Sequence, residues 1–280
     1  MLKIALVTVV FSLLVAGGFW LNWQLRQPSH DRNWQPLYAT LPEVTREEGA
    51  YRISNIRNWS YGPDKSTTPG WLDATLDPAE LVDVYFIVEP FGSMKAIAHT
   101  MLGFEFADGA GYVASVEARR TVGQAYGGLK AGVLPMHEYM FVWATERDMY
   151  ANSTFFTEDA LYVYRLNLTA EAKRAVLTAM LDETAQLQET PRFYNTFFSN
   201  CTNVLARAVN KVSPGAVPWS ISWHLPGYSA EYLIDRGLIE APDGSEAVRA
   251  KAHITPHVED LYEIEDPTSF AQGLRERLWN

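Results

Sequence analysis

The stretch "IALVTVVFSLLVAGGFWLNW", Ile4 to Trp23, constrains this chain more than any other part of it. At about 1.5 Å per residue, an uncharged apolar run of this length matches a hydrocarbon core of about 30 Å. Lys3 precedes it as a short basic flank, as in a signal peptide. "AGG" at 16–18 is a poor cleavage site, whereas Trp20 and Trp23 suit a membrane interface. The reading favoured is an uncleaved signal anchor over residues 1–23. It predicts a single pass through a bacterial inner membrane, with the remainder in the periplasm. Residues 24–45 then read as a tether, opened by the polar "QLRQPSHDRNWQP".

The chain as a whole has a globular composition, 48% hydrophobic and 20% charged. A formal net charge of −10 argues against nucleic acid as a partner. Short segments rich in β-branched and aromatic residues predict strands over 51–59, 81–90, 96–107, 111–120, 138–146 and 161–168. "DGAG" between the third and fourth marks a hairpin. Helices follow. One opens at the N-cap Thr169; the other runs over 201–212, with Val204, Leu205, Ala208 and Val212 spaced as a buried stripe. Strands first and helices after predict an α+β domain over 46–240, an antiparallel sheet with helices packed on one side. Residues 241–280 read as an acidic tail. It ends in a short helix whose Phe270, Leu274 and Leu278 pack back on the domain.

The chain has one cysteine, Cys201, in "FFSNCTNV". A lone cysteine is often a small buried hydrophobe. Here Asn200 is a candidate N-cap, which places Cys201 in the first helical turn. Unpaired backbone N–H groups and the helix dipole lower a thiol pKa there, and they can hold the oxyanion formed when a carbonyl is attacked. The thiol needs a base. Of six histidines, His253 and His257 are separated by Pro256, which breaks a helical metal pair, so no metal and no cofactor are expected. His99 lies inside the strand "AIAHTMLGFEF". Antiparallel pairing could set Glu117 of the next strand beside it, to fix its tautomer. Glu105 and Ser115 stay open as the third member, because strand register is not determined at this level.

The motifs "AHTMLGFEFADG", "SVEARR", "YNTFFSNCTNVLARAV" and "LPGYSAEYLIDRGLI", in that order, resemble the Lnb N-terminal periplasmic domain family. The resemblance covers roughly residues 50 to 240. It implies a fold similar to the NlpC/P60 and lecithin:retinol acyltransferase branch of papain-like enzymes, circularly permuted so that the His strand precedes the Cys helix. It further implies a Cys–His pair that carries an acyl group as a thioester. By position, Cys201 matches the nucleophile and His99 the base, with Glu117 as orienting residue. Asn200, Tyr194 and Thr202 would line the site or its oxyanion pocket. The substrates implied are acyl chains of phospholipid or lipoprotein, moved to an amine or to water. "VPWSISWHLPGY" (217–228) adds aromatics suited to a lipid interface. The competing readings are a cell-wall amidase or endopeptidase, and a non-catalytic envelope protein in which Cys201 is inert.

Overall fold

The computed structural model describes residues 2–62, 64–92, 94–212 and 214–279. Helix α1 (Leu2–Leu25) comes first, and its described side chains from Leu6 to Leu21 are all exposed. Among the described residues no helix is long and apolar enough to cross a membrane; in α1, several side chains at either end lie outside the description. The stretch expected to be a tether is partly built into the domain. It holds the short α2 (Pro36–Ala39) and β1 (Glu43–Arg46), and Trp34 and Tyr38 are buried. The Arg119 guanidinium fixes it in place: it donates to the Tyr38 and Ala39 carbonyls at 2.8 Å and stacks on the Trp34 ring.

The central sheet contains β1, β2 (Tyr51–Arg57), β5 (Trp71–Leu76), β6 (Leu81–Pro90), β7 (Ala98–Phe106), β8 (Gly111–Arg119), β9 (Glu138–Thr145) and β10 (Tyr162–Arg165). A small ribbon of β3 (Ser60–Tyr61) and β4 (Thr67–Thr68) lies apart, and α3 (Gly128–Val133) and α4 (Glu146–Ala151) flank β9. Strand order is β1-β2-β9-β8-β7-β6-β10, with β5 on the other side of β2. All pairings are antiparallel except the single β2–β9 contact, Arg57 opposite Ala144. The expected β7–β8 hairpin is present; its tight turn uses Gly109 at φ 87°, a conformation that side-chain-bearing residues rarely adopt.

Two-residue alternation gives β7 two faces. Leu102, Phe104 and Phe106 face one core with α5 (Ala170–Glu189) and α6 (Cys201–Val212), which contribute Val176, Leu177, Met180, Val204 and Leu205. Thr169 caps α5, accepting from the Ala172 N–H at 3.2 Å. The opposite face, with Met101, Val113 and Val142, packs against a second helical layer. The expectation of helices on one side therefore needs correction. After α7 (Ser229–Asp235), the stretch expected to be an acidic tail forms α8 (Ser245–Ala252), α9 (Thr255–Leu261) and α10 (Pro267–Trp279). Val258, Leu261, Phe270, Leu274 and Leu278 bury against the second face. A sheet whose two faces are both apolar cannot leave either in water, and this C-terminal layer covers the one that α5 and α6 do not reach. Val212, expected on the α6 stripe, has a side chain outside the description.

Candidate active site

Cys201 begins α6. The chain arrives through a tight bend, in which Asn195 Oδ1 accepts from the N–H groups of Phe197 (2.9 Å) and Phe198 (3.0 Å). Asn200 is the N-cap: its Oδ1 accepts from the Asn203 N–H at 2.8 Å. Its amide donates to the carbonyls of Thr196 and Trp223, at 3.0 and 3.1 Å. Asn200 thus ties the helix start to the 217–228 segment, and its side-chain donors are engaged there rather than turned to the thiol. Asn203 and Val204 bond back to Asn200, which leaves the Cys201 and Thr202 N–H groups as first-turn donors without a partner among the described residues.

The thiol is buried, and it meets the His99 ring together with the backbone N–H and hydroxyl of Thr100. Thr202, the next residue, hydrogen-bonds Thr100 hydroxyl to hydroxyl at 2.9 Å and so docks the first turn of α6 onto β7. His99 and Thr100 are accessible to α6 because the β7–β8 ladder stops at Met101 opposite Ser115. β7 continues to pair with β6 as far as Ala98, so its last residues are held on one side only.

Carrying that register two residues further sets Glu117 against His99. His99 Nε2 lies 2.6 Å from Ser115 Oγ and 3.0 Å from Glu117 Oε1, while Ser115 Oγ donates to the same Glu117 oxygen at 2.6 Å. A hydroxyl that donates to the carboxylate can only accept from the ring, so Nε2 carries a proton and Nδ1 is left for the thiol. Two of the three candidates for the third residue therefore act together: Glu117 touches the ring directly and Ser115 bridges it. Glu105 lies elsewhere, bonded to the Tyr85 hydroxyl and Arg275.

Charge follows this geometry. Burial pulls the His99 imidazole down, yet Glu117 and the Cys201 sulfur beside it hold it well above the ordinary histidine value. Burial pushes the Cys201 thiol up, and the His99 imidazolium more than reverses this, so the thiol ends below its ordinary value. Glu117 is likewise raised by burial but brought down by His99 to about 2. Each group stabilises the charged form of its neighbour.

Beyond Cys201, His99 and Glu117 the site includes Tyr194, expected there from the family resemblance, and Glu89 and Thr100, which carry no sequence signal. Glu89 of β6 is register partner to His99, buried, with its carboxyl pushed up by burial and held by the Thr157 hydroxyl at 3.0 Å. Tyr194 is buried near the sulfur, and its hydroxyl lies 3.4 Å from that of Tyr126. Thr100, between His99 and Met101 in a strand of apolar residues, resembles an ordinary core position. Among the described residues, no cluster of His, Cys, Asp or Glu could hold a metal ion.

A sheet between two helical layers thus brings together a thiol at a helix N-terminus, an imidazole on the neighbouring strand and a carboxylate behind it. The chain belongs to the Lnb N-terminal periplasmic domain family, whose model matches residues 67–227, more than half of its length. The match includes Cys201, His99 and Glu117 and supports a periplasmic location. No curated protein and no solved structure matches the chain.

Proposed function

We propose that this protein is a membrane-tethered, cysteine-dependent acyltransferase that takes an acyl chain from phospholipid or lipoprotein onto Cys201 and delivers it to an amine or to water. The observation that carries this reading is the continuous chain from Glu117 through His99 to a thiol whose pKa is lowered inside the protein. The order of His strand before Cys helix is that of the permuted NlpC/P60-like enzymes and supports the same reading.

His99 takes the Cys201 proton on Nδ1, and the thiolate attacks the ester carbonyl of the donor. The new C–S bond gives an oxyanion, for which the Cys201 and Thr202 N–H groups are the nearest donors. The C–O bond breaks, and the imidazolium gives its proton to the departing alcohol. An acceptor amine, or water, then attacks the thioester while His99 takes its proton. The C–S bond breaks and that proton returns to the sulfur. Glu117 and Ser115 hold the ring in place throughout.

Location at a lipid surface has its own support. Phe198, Trp219, Ile221 and Tyr228 are exposed around the start of α6, and α1 presents exposed apolar side chains from Leu6 to Leu21. Arg26, directly after α1, donates to the Met136 carbonyl and lies over the Phe193 ring, one residue from Tyr194. The proposed anchor thus meets the domain on the side of the thiol.

The test is to incubate the full chain with phospholipid vesicles and look for a hydroxylamine-labile acyl adduct on Cys201 by intact mass. An adduct present in the parent protein and absent in Cys201→Ser is expected. Release of muropeptides from cell wall without any adduct would replace this reading with that of an amidase.

A further inference from the structure

Two sizeable cavities lie against the helical layers, and their chemistry differs. The larger, about 500 Å³, is lined by Asp83, Arg165, Lys173 and Lys251 among others, and none of its wall residues adjoins Cys201. Three of its charged groups already pair, Asp83 with both Arg165 and Lys173. The smaller, about 200 Å³, begins at Thr202 and follows α6 along Leu205, Ala206 and Val209. Positions i, i+3, i+4 and i+7 form one stripe of a helix, so this wall is continuous and spans about 10 Å of the helix axis. Val176 of α5 and Leu233 of α7 face it, and none of the described residues lining it is charged.

An apolar cleft of this size running from the residue next to a buried thiol is larger than close packing of side chains leaves by default. Its entrance residue is bonded to the sulfur's own neighbour: Thr202 Oγ1 lies 3.9 Å from Cys201 Sγ and 2.9 Å from Thr100 Oγ1. A peptide or glycan would have to bury amide and hydroxyl groups against walls offering almost no partner, which is costly. A hydrocarbon tail loses nothing there and gains its transfer free energy.

We infer that the cavity along α6 is the binding site for the aliphatic tail of the acyl donor, with the carbonyl carbon placed at Cys201 and the chain running from Thr202 towards Val209. This rests on the acyl-transfer reading above and adds to it where the tail lies, from which a preference for long chains over acetate is expected.

Two measurements separate the inference from the reading it rests on. First, full-length Cys201→Ala in detergent is photolabelled with a diazirine-bearing palmitate analogue and the crosslinks are mapped by mass spectrometry. Crosslinks on α5 and α6 are expected. They should fall about tenfold in the double variant with Ala175→Phe or with Ala206→Phe, the effect of about two methylenes losing their burial. Ala175 of α5 also lines the cavity and is half-buried, so thermal melts of that variant guard against misfolding. Second, acylation of Cys201 in the parent chain by p-nitrophenyl palmitate and acetate is followed by mass. Palmitate should be preferred, and Ala175→Phe should lose that preference while keeping the acetate rate. Crosslinks confined to α1 or the outer surface, and unmoved by both variants, would overturn the cavity assignment even if Cys201 is acylated. No acylation by either ester would overturn the acyl-transfer reading while leaving the photolabelling to decide what the cavity binds.

Discussion

Asp148 and Glu117 are both carboxylates held in the interior by a cation and a hydroxyl, yet they sit in opposite kinds of network. Asp148, in the fully buried α4, accepts from Arg57, the Trp59 backbone N–H and the Tyr61 hydroxyl. Every oxygen is satisfied, and the partners end in a guanidinium that cannot give up its proton. Glu117 accepts from Ser115 and His99, and His99 continues to a thiol. One network is closed and the other ends in a group that can leave the equilibrium by reacting. Burial and pairing alone do not separate structure from chemistry; what the chain of bonds terminates in does.

That contrast breaks most visibly at the base. His99→Ala should slow acylation of Cys201 by about 10³- to 10⁴-fold. It should also move the pH midpoint of iodoacetamide labelling upward, because burial would then be opposed only by the Thr100 N–H and hydroxyl. If the midpoint does not move, the thiol is not paired with His99. On the closed side, Asp148→Asn should cost about 3–5 kcal/mol in urea unfolding, since it leaves Arg57 buried without its counter-charge. Labelling of Cys201 below the unfolding transition should keep its pH profile; a shift there would join the two networks.

Glu117→Gln should have a smaller effect on acylation, about 10²-fold, with the thiol midpoint again moving up. Its stability signature has a defined direction. Glu117 is held near 2 against an ordinary 4.5, so its contribution is present above about 4.5 and lost as pH falls from there towards 2. His99, raised instead, contributes below its ordinary range, and that contribution is lost as pH rises through its folded value. The variant should flatten the acid limb, as read by urea midpoints across pH. Smallest of all, Ser115→Ala removes only a bridge: about 1 kcal/mol of stability and less than tenfold in rate.

The strands that carry the site were legible because they are long, rich in β-branched and aromatic residues, and bounded by turn signals. The short β1 and β5 were not, since each offers a single buried side chain, Val44 and Leu76. Cys201 and its cap were legible from local rules alone: Asn200 needs only the Asn203 N–H three residues on. Glu117 could be named but not chosen over Ser115, and the register that uses both is a long-range property of the pairing. The second helical layer was the largest omission. Its last helix was read from the Phe270, Leu274 and Leu278 stripe, but acidic residues and Pro256 and Pro267 give the rest of 241–280 the look of a loop, and Ile254 and Val258 mark no helical stripe. Only the uncovered face of the sheet explains their burial.

The early end of the β7–β8 ladder has a consequence for how the thiol is protected before the protein is finished. Thr100 and Thr202, which bring strand and helix together, are separated by 102 residues. Until that gap in the ladder exists for α6 to fill, Cys201 has no imidazole beside it and remains a sluggish, largely protonated thiol. A chain emerging unfolded into an oxidising compartment therefore carries its one sulfur in a muted state. On the acyl-transfer reading, folding itself is the arming step.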